Sequence, residues 1–252
     1  MTTISVFGNQ DLDPIPMGTL AGDLLHVNRI SGRDPQTGAL PDGIEAQIKN
    51  CYANLKLAVE NAGGTLDNVA HVSMYWADWA NDREQMNPPW VEVFPKDDDR
   101  PTYKFMPAPG LPAGERIAFE CYAVIGQRRT LLAVDGVAHT NPIPLGVRIG
   151  RYVFSSRMLP YDPSTGKPAD GAESQASHLF ANTEAMLRQG GTGWDDVVYG
   201  RAFLADPDSQ RSTVDALWEK AMPNASKRPA LNRVKYGGGA LQVMLEVIAR
   251  QG

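Results

Sequence analysis

The chain repeats itself at a fixed spacing, and that repeat constrains its fold more than any other feature. Pro14-Ile15-Pro16-x-Gly18 returns 128 residues later as Pro142-Ile143-Pro144-x-Gly146. Asp34-Pro35-x-Thr37-Gly38 returns as Asp162-Pro163-x-Thr165-Gly166, and Asp42-Gly43-x-Glu45-x-Gln47 as Asp170-Gly171-x-Glu173-x-Gln175. Ala53-Asn54 matches Ala181-Asn182, Ala77-Asp78 matches Ala205-Asp206, Trp90 matches Trp218, and Arg100-Pro101 matches Arg228-Pro229. Composition does not preserve spacing over such a length. The unit is domain-sized, whereas a solenoid needs shorter and more numerous repeats. The expectation is two domains of one plan, residues 1–127 and 128–252. Beyond Pro101 the copies fall out of step, so that Glu120 matches Glu246 at an offset of 126.

Within each copy the periodicities alternate between strand and helix. Asp23–Ile30 and Arg151–Met158 read as strands, and Asp-Pro-x-Thr-Gly is turn chemistry. Asp42 with Glu45, and Asp170 with Glu173, have capping-box spacing. Ile44, Ile48, Cys51, Leu55 and Val59 then fall at helical intervals up to Gly63-Gly64, a C-terminal stop. Val69–Trp76 and Val197–Leu204 read as strands, and a second helix carries Trp90 or Trp218. Two closing strands follow, Tyr103–Met106 and Arg116–Val124 in the first copy, Leu231–Tyr236 and Leu241–Ala249 in the second. The order β-β-α-β-α-β-β predicts an α+β domain with its helices on one face of a mixed sheet.

Composition narrows the function. Hydrophobic residues are 42% and charged residues 21%, which is globular rather than disordered. A net charge of −5 and the lack of a basic, aromatic-interleaved stretch argue against nucleic acid as partner. No apolar run has spanning length, and the first residues lack a secretory pattern, so the expectation is a cytoplasmic protein with no membrane partner. Cys51 and Cys121 are then expected to be reduced and buried. The four histidines, His26, His71, His139 and His178, have no ligand spacing and no matched positions, so no metal is expected. Gly237-Gly238-Gly239 reads as a turn between closing strands. Residues 1–127 hold 9 Lys/Arg against 17 Asp/Glu, while residues 128–252 hold 15 against 12. That asymmetry is either drift on solvated faces or a complementarity between halves.

The ordered set of strand, Asp-Pro-x-Thr-Gly, Gln-containing helix, Gly-Gly, strand ending in Asp, Asn87-x-x-Trp90, Arg-Pro and a final Glu strand resembles the RidA (YjgF/YER057c/UK114) family, twice over. The resemblance implies a chorismate-mutase-like fold, trimeric assembly (three chains, six domains), no cofactor, and hydrolysis of enamines or imines to a carbonyl compound and ammonia. It places the family's water-positioning carboxylate at Glu120 and Glu246, and its Asn at Asn87, with Asp215 in the second copy. A carboxylate raised in pKa by an apolar cleft would suit that chemistry.

The departures bear on the substrate. The Arg that grips a substrate carboxylate in the family is replaced by Tyr103 and by Leu231. A guanidinium fork has no equivalent in a phenol or an isobutyl group. The small 2-iminopropanoate-type substrate is therefore not expected. Where the family has Gly, both copies carry Arg, at Arg29 and Arg157. Either these enter the cleft and bind substrate, or they face the other side and pair with acids; Lys104 and Arg233 are other sources of a cation. The tryptophans read mostly as core or interface, with Trp76, Trp79 and Trp90 also candidate cleft walls. The resemblance, read with these departures, thus implies an enamine/imine deaminase acting on a small molecule, with Glu120 and Glu246 catalytic and Arg29, Arg157, Asn87 and Tyr103 binding. A non-catalytic ligand-binding protein and, further off, an endoribonuclease are the alternatives.

Overall fold

The computed structural model describes residues 2–4, 17–236 and 239–252. Pro14-Ile15-Pro16 and the Gly237-Gly238 part of the expected turn lie outside the described residues. The chain divides into two compact units, Met1–Arg129 and Thr130–Gly252.

In the first half the elements are β1 (Thr2–Ile4), β2 (Gly18–Ala21), β3 (Leu24–Ser31), α1 (Ile44–Asn61), β4 (Val69–Trp76), the single turn α2 (Trp79–Asp82), α3 (Asn87–Val93), β5 (Thr102–Pro107) and β6 (Ile117–Val124). The second half has β7 (Arg129–Leu132), β8 (Gly146–Ile149), β9 (Tyr152–Ser155), the short hairpin β10 (Tyr161–Asp162) and β11 (Lys167–Pro168), α4 (Ala172–Gln189), β12 (Val197–Leu204), α5 (Pro207–Ala221), β13 (Leu231–Lys235) and β14 (Val243–Arg250). The first sheet runs β1-β2-β3-β6-β4-β5 and the second β13-β12-β14-β9-β8-β7, the same order read from opposite edges. Only β4 with β5, and β12 with β13, run parallel among the described pairs. Each half is thus an α+β unit whose mixed sheet has one more strand, β1 or β7, than the periodicity suggests, and the second half adds the β10–β11 hairpin.

Each sheet buries one face against its helices. In β6, Phe119 makes an edge contact with Tyr52 of α1, and the Cys51 thiol points to the Ile117 carbonyl. Leu25, Val27, Ile48, Leu55, Val72, Met74, Trp76 and Trp90 complete that core. Trp76 and Trp90 are fully buried core side chains, not cleft walls; Trp79 alone is half-buried, edge-on to Phe105. Cys51 and Cys121 are buried and unbonded.

The repeated polar residues are mostly structural. Gln47 on α1 donates to the carbonyls of Pro41 and Gly114 and accepts from the Arg116 amide. Gln175 repeats all three contacts with Ala169, Ala240 and Gln242. Asn54 donates to the carbonyls of Ser31 and Arg33, and Asn182 to those of Leu159 and Tyr161. Arg100 and Arg228 donate to the carbonyls of Phe94 and Met222, closing the end of the second helix. Each satisfies loop carbonyls that would otherwise be buried without donors. The Asp34 and Asp162 carboxylates accept turn amides as their sequences suggest, and Gly38 and Gly166 take left-handed φ.

Two local expectations are corrected. The N-caps are Gly43 and Gly171, not Asp42 and Asp170, and neither helix has a side-chain cap. Gly171 has φ 77°, which an aspartate would adopt only with strain, and the shift of one residue puts Glu45 and Glu173 out of box register. The second helix of the first half is broken into α2 and α3, because Pro88 and Pro89 lack amide donors and can only start a helix. In the second half Ala216 and Leu217 occupy those places, and α5 is continuous.

α5 approaches β12 at Gly200, where an added Cβ would stand 2.3 Å from Trp218 Cη2. Gly200→Ala is therefore expected to overpack this contact and to destabilise the fold by about 1–3 kcal/mol, read as a lower urea midpoint.

Candidate active site

Strand register decides which side chains meet. Ser73 on β4 lies opposite both Glu120 on β6 and Lys104 on β5. Opposed residues share a face, so these three stand together on the face turned away from α1. His26 on β3 lies opposite Tyr122 and stacks on it, centroids 4.6 Å apart. The Glu120 carboxylate accepts from His26 Nε2 at 2.9 Å on one oxygen and from the Tyr75 hydroxyl at 2.7 Å on the other. A carboxylate only accepts, so the shared hydrogen belongs to His26 Nε2 and leaves Nδ1 facing outward from the pair. The Glu120 side chain is 16% exposed and that of His26 40%. Lys104 is buried, and the Ser73 hydroxyl is fully buried with no hydrogen-bond partner among the described residues.

Burial alone would raise the Glu120 pKa. The hydrogen bonds from His26 and Tyr75, with the charge of Lys104, outweigh it and hold the group at about 2. The expectation of a raised carboxyl is thereby reversed. Glu120 is a fixed anion, suited to stabilising a cation and orienting water, and not a proton donor.

The other residues anticipated from sequence go to different places. The Tyr103 hydroxyl donates to Asn87 Oδ1 at 2.7 Å, and its ring packs edge-on to Trp90 and flat on Phe105. Tyr103 lies opposite Val72, on the helix-covered face, so the Asn87–Tyr103 pair and Glu120 occupy opposite faces of one sheet. Burial pushes the Tyr103 phenol well above its ordinary pKa.

Arg29 sits in a β-bulge between Val27 and Ile30 and has φ 54°, the only positive φ of a non-glycine residue among those described. It takes the left-handed backbone that favours glycine, with its amide donating to Asn28 Oδ1. The buried Glu115 carboxyl, raised by desolvation, is pulled back by the charges of Arg33 and Arg29.

In the second half Glu246 lies opposite Arg201 on β12, the same place that Glu120 takes opposite Ser73. Glu246 is 2% exposed. The His26 position is Phe154, the Tyr75 position Phe203, and the Lys104 position Asn232. None of the three groups that act on Glu120 is retained. Arg157 does come to this face, stacked over the rings of Phe203 at 4.4 Å and Tyr236 at 4.1 Å. Burial lowers its pKa, against the attraction of Tyr236 and Glu246. Arg233 is instead held by Asp215. Arg29 and Arg157, matched in sequence, have thus diverged in surroundings.

His26, Tyr75 and Ser73 are not singled out by the sequence. Each stands in strand phase with Glu120 once the register is known, but that register is not written in one strand. Among the described residues no cluster of His, Cys, Asp and Glu could hold a metal ion, and no helix is long and apolar enough to cross a membrane.

Glu120 has its ordinary pKa of 4.5 when unfolded and about 2 when folded. Its contribution to stability is complete above pH 4.5 and is lost as the pH falls toward 2. Glu120→Gln is expected to be less stable at neutral pH and to show a flatter acid limb, measured by urea midpoints across that range.

The family described as Endoribonuclease L-PSP matches residues 17–125 and again 138–249. A 2-iminobutanoate/2-iminopropanoate deaminase of Salmonella typhimurium is 30% identical over 91 residues, 36% of this chain and 70% of the relative. A RutC family protein of Aquifex aeolicus is 26% identical over 111 residues, 42% of this chain and 86% of the relative. Among solved structures, RidA from an Antarctic Psychrobacter is 23% identical over 50% of this chain and all of that one, with a TM-score of 0.46.

Proposed function

Both halves of the chain belong to the Endoribonuclease L-PSP family, and we propose from that premise that the first half is a hydrolytic imine deaminase centred on Glu120. The observation that carries this reading is the carboxylate itself: largely buried, ionised, and fixed on both oxygens by His26 and Tyr75. The similarity to an imine deaminase supports the same chemistry.

A protonated imine is a cation with an electrophilic carbon. A preorganised anion in a site sheltered from water stabilises that cation without reorganising during the reaction. Water, accepted by a remaining lone pair of Glu120, attacks the imine carbon. The C–O bond forms and the C=N π pair moves to nitrogen. A carboxylate of such low pKa is a poor final acceptor for the proton that water sheds. His26, half-exposed beside Glu120, is the better one, since its Nε2 donates to Glu120 and its Nδ1 lone pair can accept the proton. The carbinolamine then collapses: its nitrogen takes back the proton held on His26, the C–N bond breaks to release ammonia, and the hydroxyl gives its proton to that ammonia as the C=O bond forms. In sum, one protonated imine and one water give one carbonyl compound and one ammonium ion.

The Tyr103 position supports a substrate other than the smallest 2-imino acids. Its side chain is engaged by Asn87 on the opposite face, and a phenol does not grip a carboxylate as a guanidinium does.

The test is ammonia release from freshly generated imines, aliphatic and ring-derived, by the full chain. Glu120→Gln is expected to lose about 100-fold or more in kcat. Tyr75→Phe should lose less and move the acid limb of the rate profile upward in pH, because one stabilising donor to the anion is gone. A folded Glu120→Gln variant that turns over at the wild-type rate contradicts the proposal.

A further inference from the structure

The oxygens of Glu120 take hydrogen bonds from His26 on β3 and Tyr75 on β4. Ser73, directly opposite Glu120 on β4, stands between it and Lys104 on β5. The Ser73 hydroxyl is fully buried and has no hydrogen-bond partner among the described residues, so neither facing side chain satisfies it. A hydroxyl shut away from water calls for a partner. The strand itself does not require this hydroxyl. In the second half the matching position on β12 is Arg201, again opposite a glutamate, and the sheet keeps its order.

Register tells what partner fits. Facing residues of an antiparallel pair have Cβ atoms about 4.5–5.5 Å apart. Ser73 Oγ and the Glu120 carboxylate therefore share one space without bonding each other. Polar groups so placed are joined by a water, which needs two or more polar partners to be held. His26 and Tyr75 each use one lone pair of the carboxylate and leave others for that water.

We propose that the Ser73 hydroxyl and Glu120 together hold the water that attacks the imine, which makes Ser73 a further catalytic residue of the first half. The water donates one hydrogen to Glu120 and accepts the Ser73 hydrogen. Two of its four tetrahedral directions are then fixed. One lone pair is left for the imine carbon, and one hydrogen is left to be shed. Ser73 itself ends the step with the proton it began with. This inference rests on the reading of Glu120 as the carboxylate of imine hydrolysis.

The experiment has two arms, both on the full chain. Oxygen-17 relaxation dispersion counts long-lived internal waters, and Ser73→Ala is expected to hold one fewer than wild type. Ammonia release from freshly generated imines gives the second arm. Ser73→Ala is expected to lower kcat about tenfold, the worth of one hydrogen bond, and to leave KM within about twofold. Ser73→Thr keeps the hydroxyl and should restore most of the rate, which a packing role would not allow. Should Ser73→Ala not fold, Ser73→Cys is expected to show the same losses, because S–H is a weak donor. An unchanged water count overturns the proposal. So does a raised KM at unchanged kcat, which would put the hydroxyl on the substrate, or a loss that Ser73→Thr does not restore. Wild-type turnover in Ser73→Ala beside an inactive Glu120→Gln removes this inference alone. Wild-type turnover in Glu120→Gln, or no turnover of any imine, removes the reading of the site and this inference with it.

Discussion

A carboxylate in the middle of a closing strand leaves water only if neighbouring strands give it donors. Burying it unpaired costs several kcal/mol, whereas each hydrogen bond to an ionised group returns about 1.5–3 kcal/mol. Glu120 has two such bonds and the field of Lys104, and the balance falls on the side of the anion. The register of β6 between β3 and β4 produces that balance, since it brings His26 and Tyr75 to the same carboxylate from opposite sides. A slip of one residue would turn all of these groups onto the helix-covered face.

The fold is legible in the sequence because it is written twice. The 128-residue shift carries α1 onto α4 and β4 onto β12 without a change in length, and the 126-residue offset carries β6 onto β14. Gln47, Asn54 and Arg100 recur because loop carbonyls in both halves need the same donors. Both helices start one residue later than the aspartate spacing suggests, with a glycine at the cap, and before α4 that glycine has a left-handed φ that disfavours an aspartate there. The site is only partly legible. Glu120 is anticipated by position, but its partners lie on β3 and β4, and cross-strand neighbours are fixed by register rather than by local sequence. Tyr103 and Asn87 illustrate the converse: adjacent to the site in sequence logic, they are separated from it by the thickness of the sheet.

Duplication has kept one backbone and changed the electrostatics on it. One glutamate position serves in both halves, yet its surroundings pass from hydroxyl, imidazole and ammonium to phenyl rings and guanidinium groups. The backbone at Arg29 holds a left-handed bulge, while its counterpart Arg157 is a half-buried cation stacked over two rings. Such a change alters what each half can bind without altering what holds it folded, because the helix-covered faces and their buried polar ties are shared by both copies.

The chemistry of the first half depends on Glu120 being an anion held by its donors. The direct measurement is its titration in the full chain, from the side-chain carboxyl 13C shift of glutamate-labelled protein, with Glu120→Gln to assign the resonance. The signal is expected to stay in the ionised position until the pH approaches about 2, and its titration to move to higher pH in Tyr75→Phe. Titration of Glu120 at or above its ordinary 4.5, or indifference to the loss of the Tyr75 hydroxyl, would contradict it.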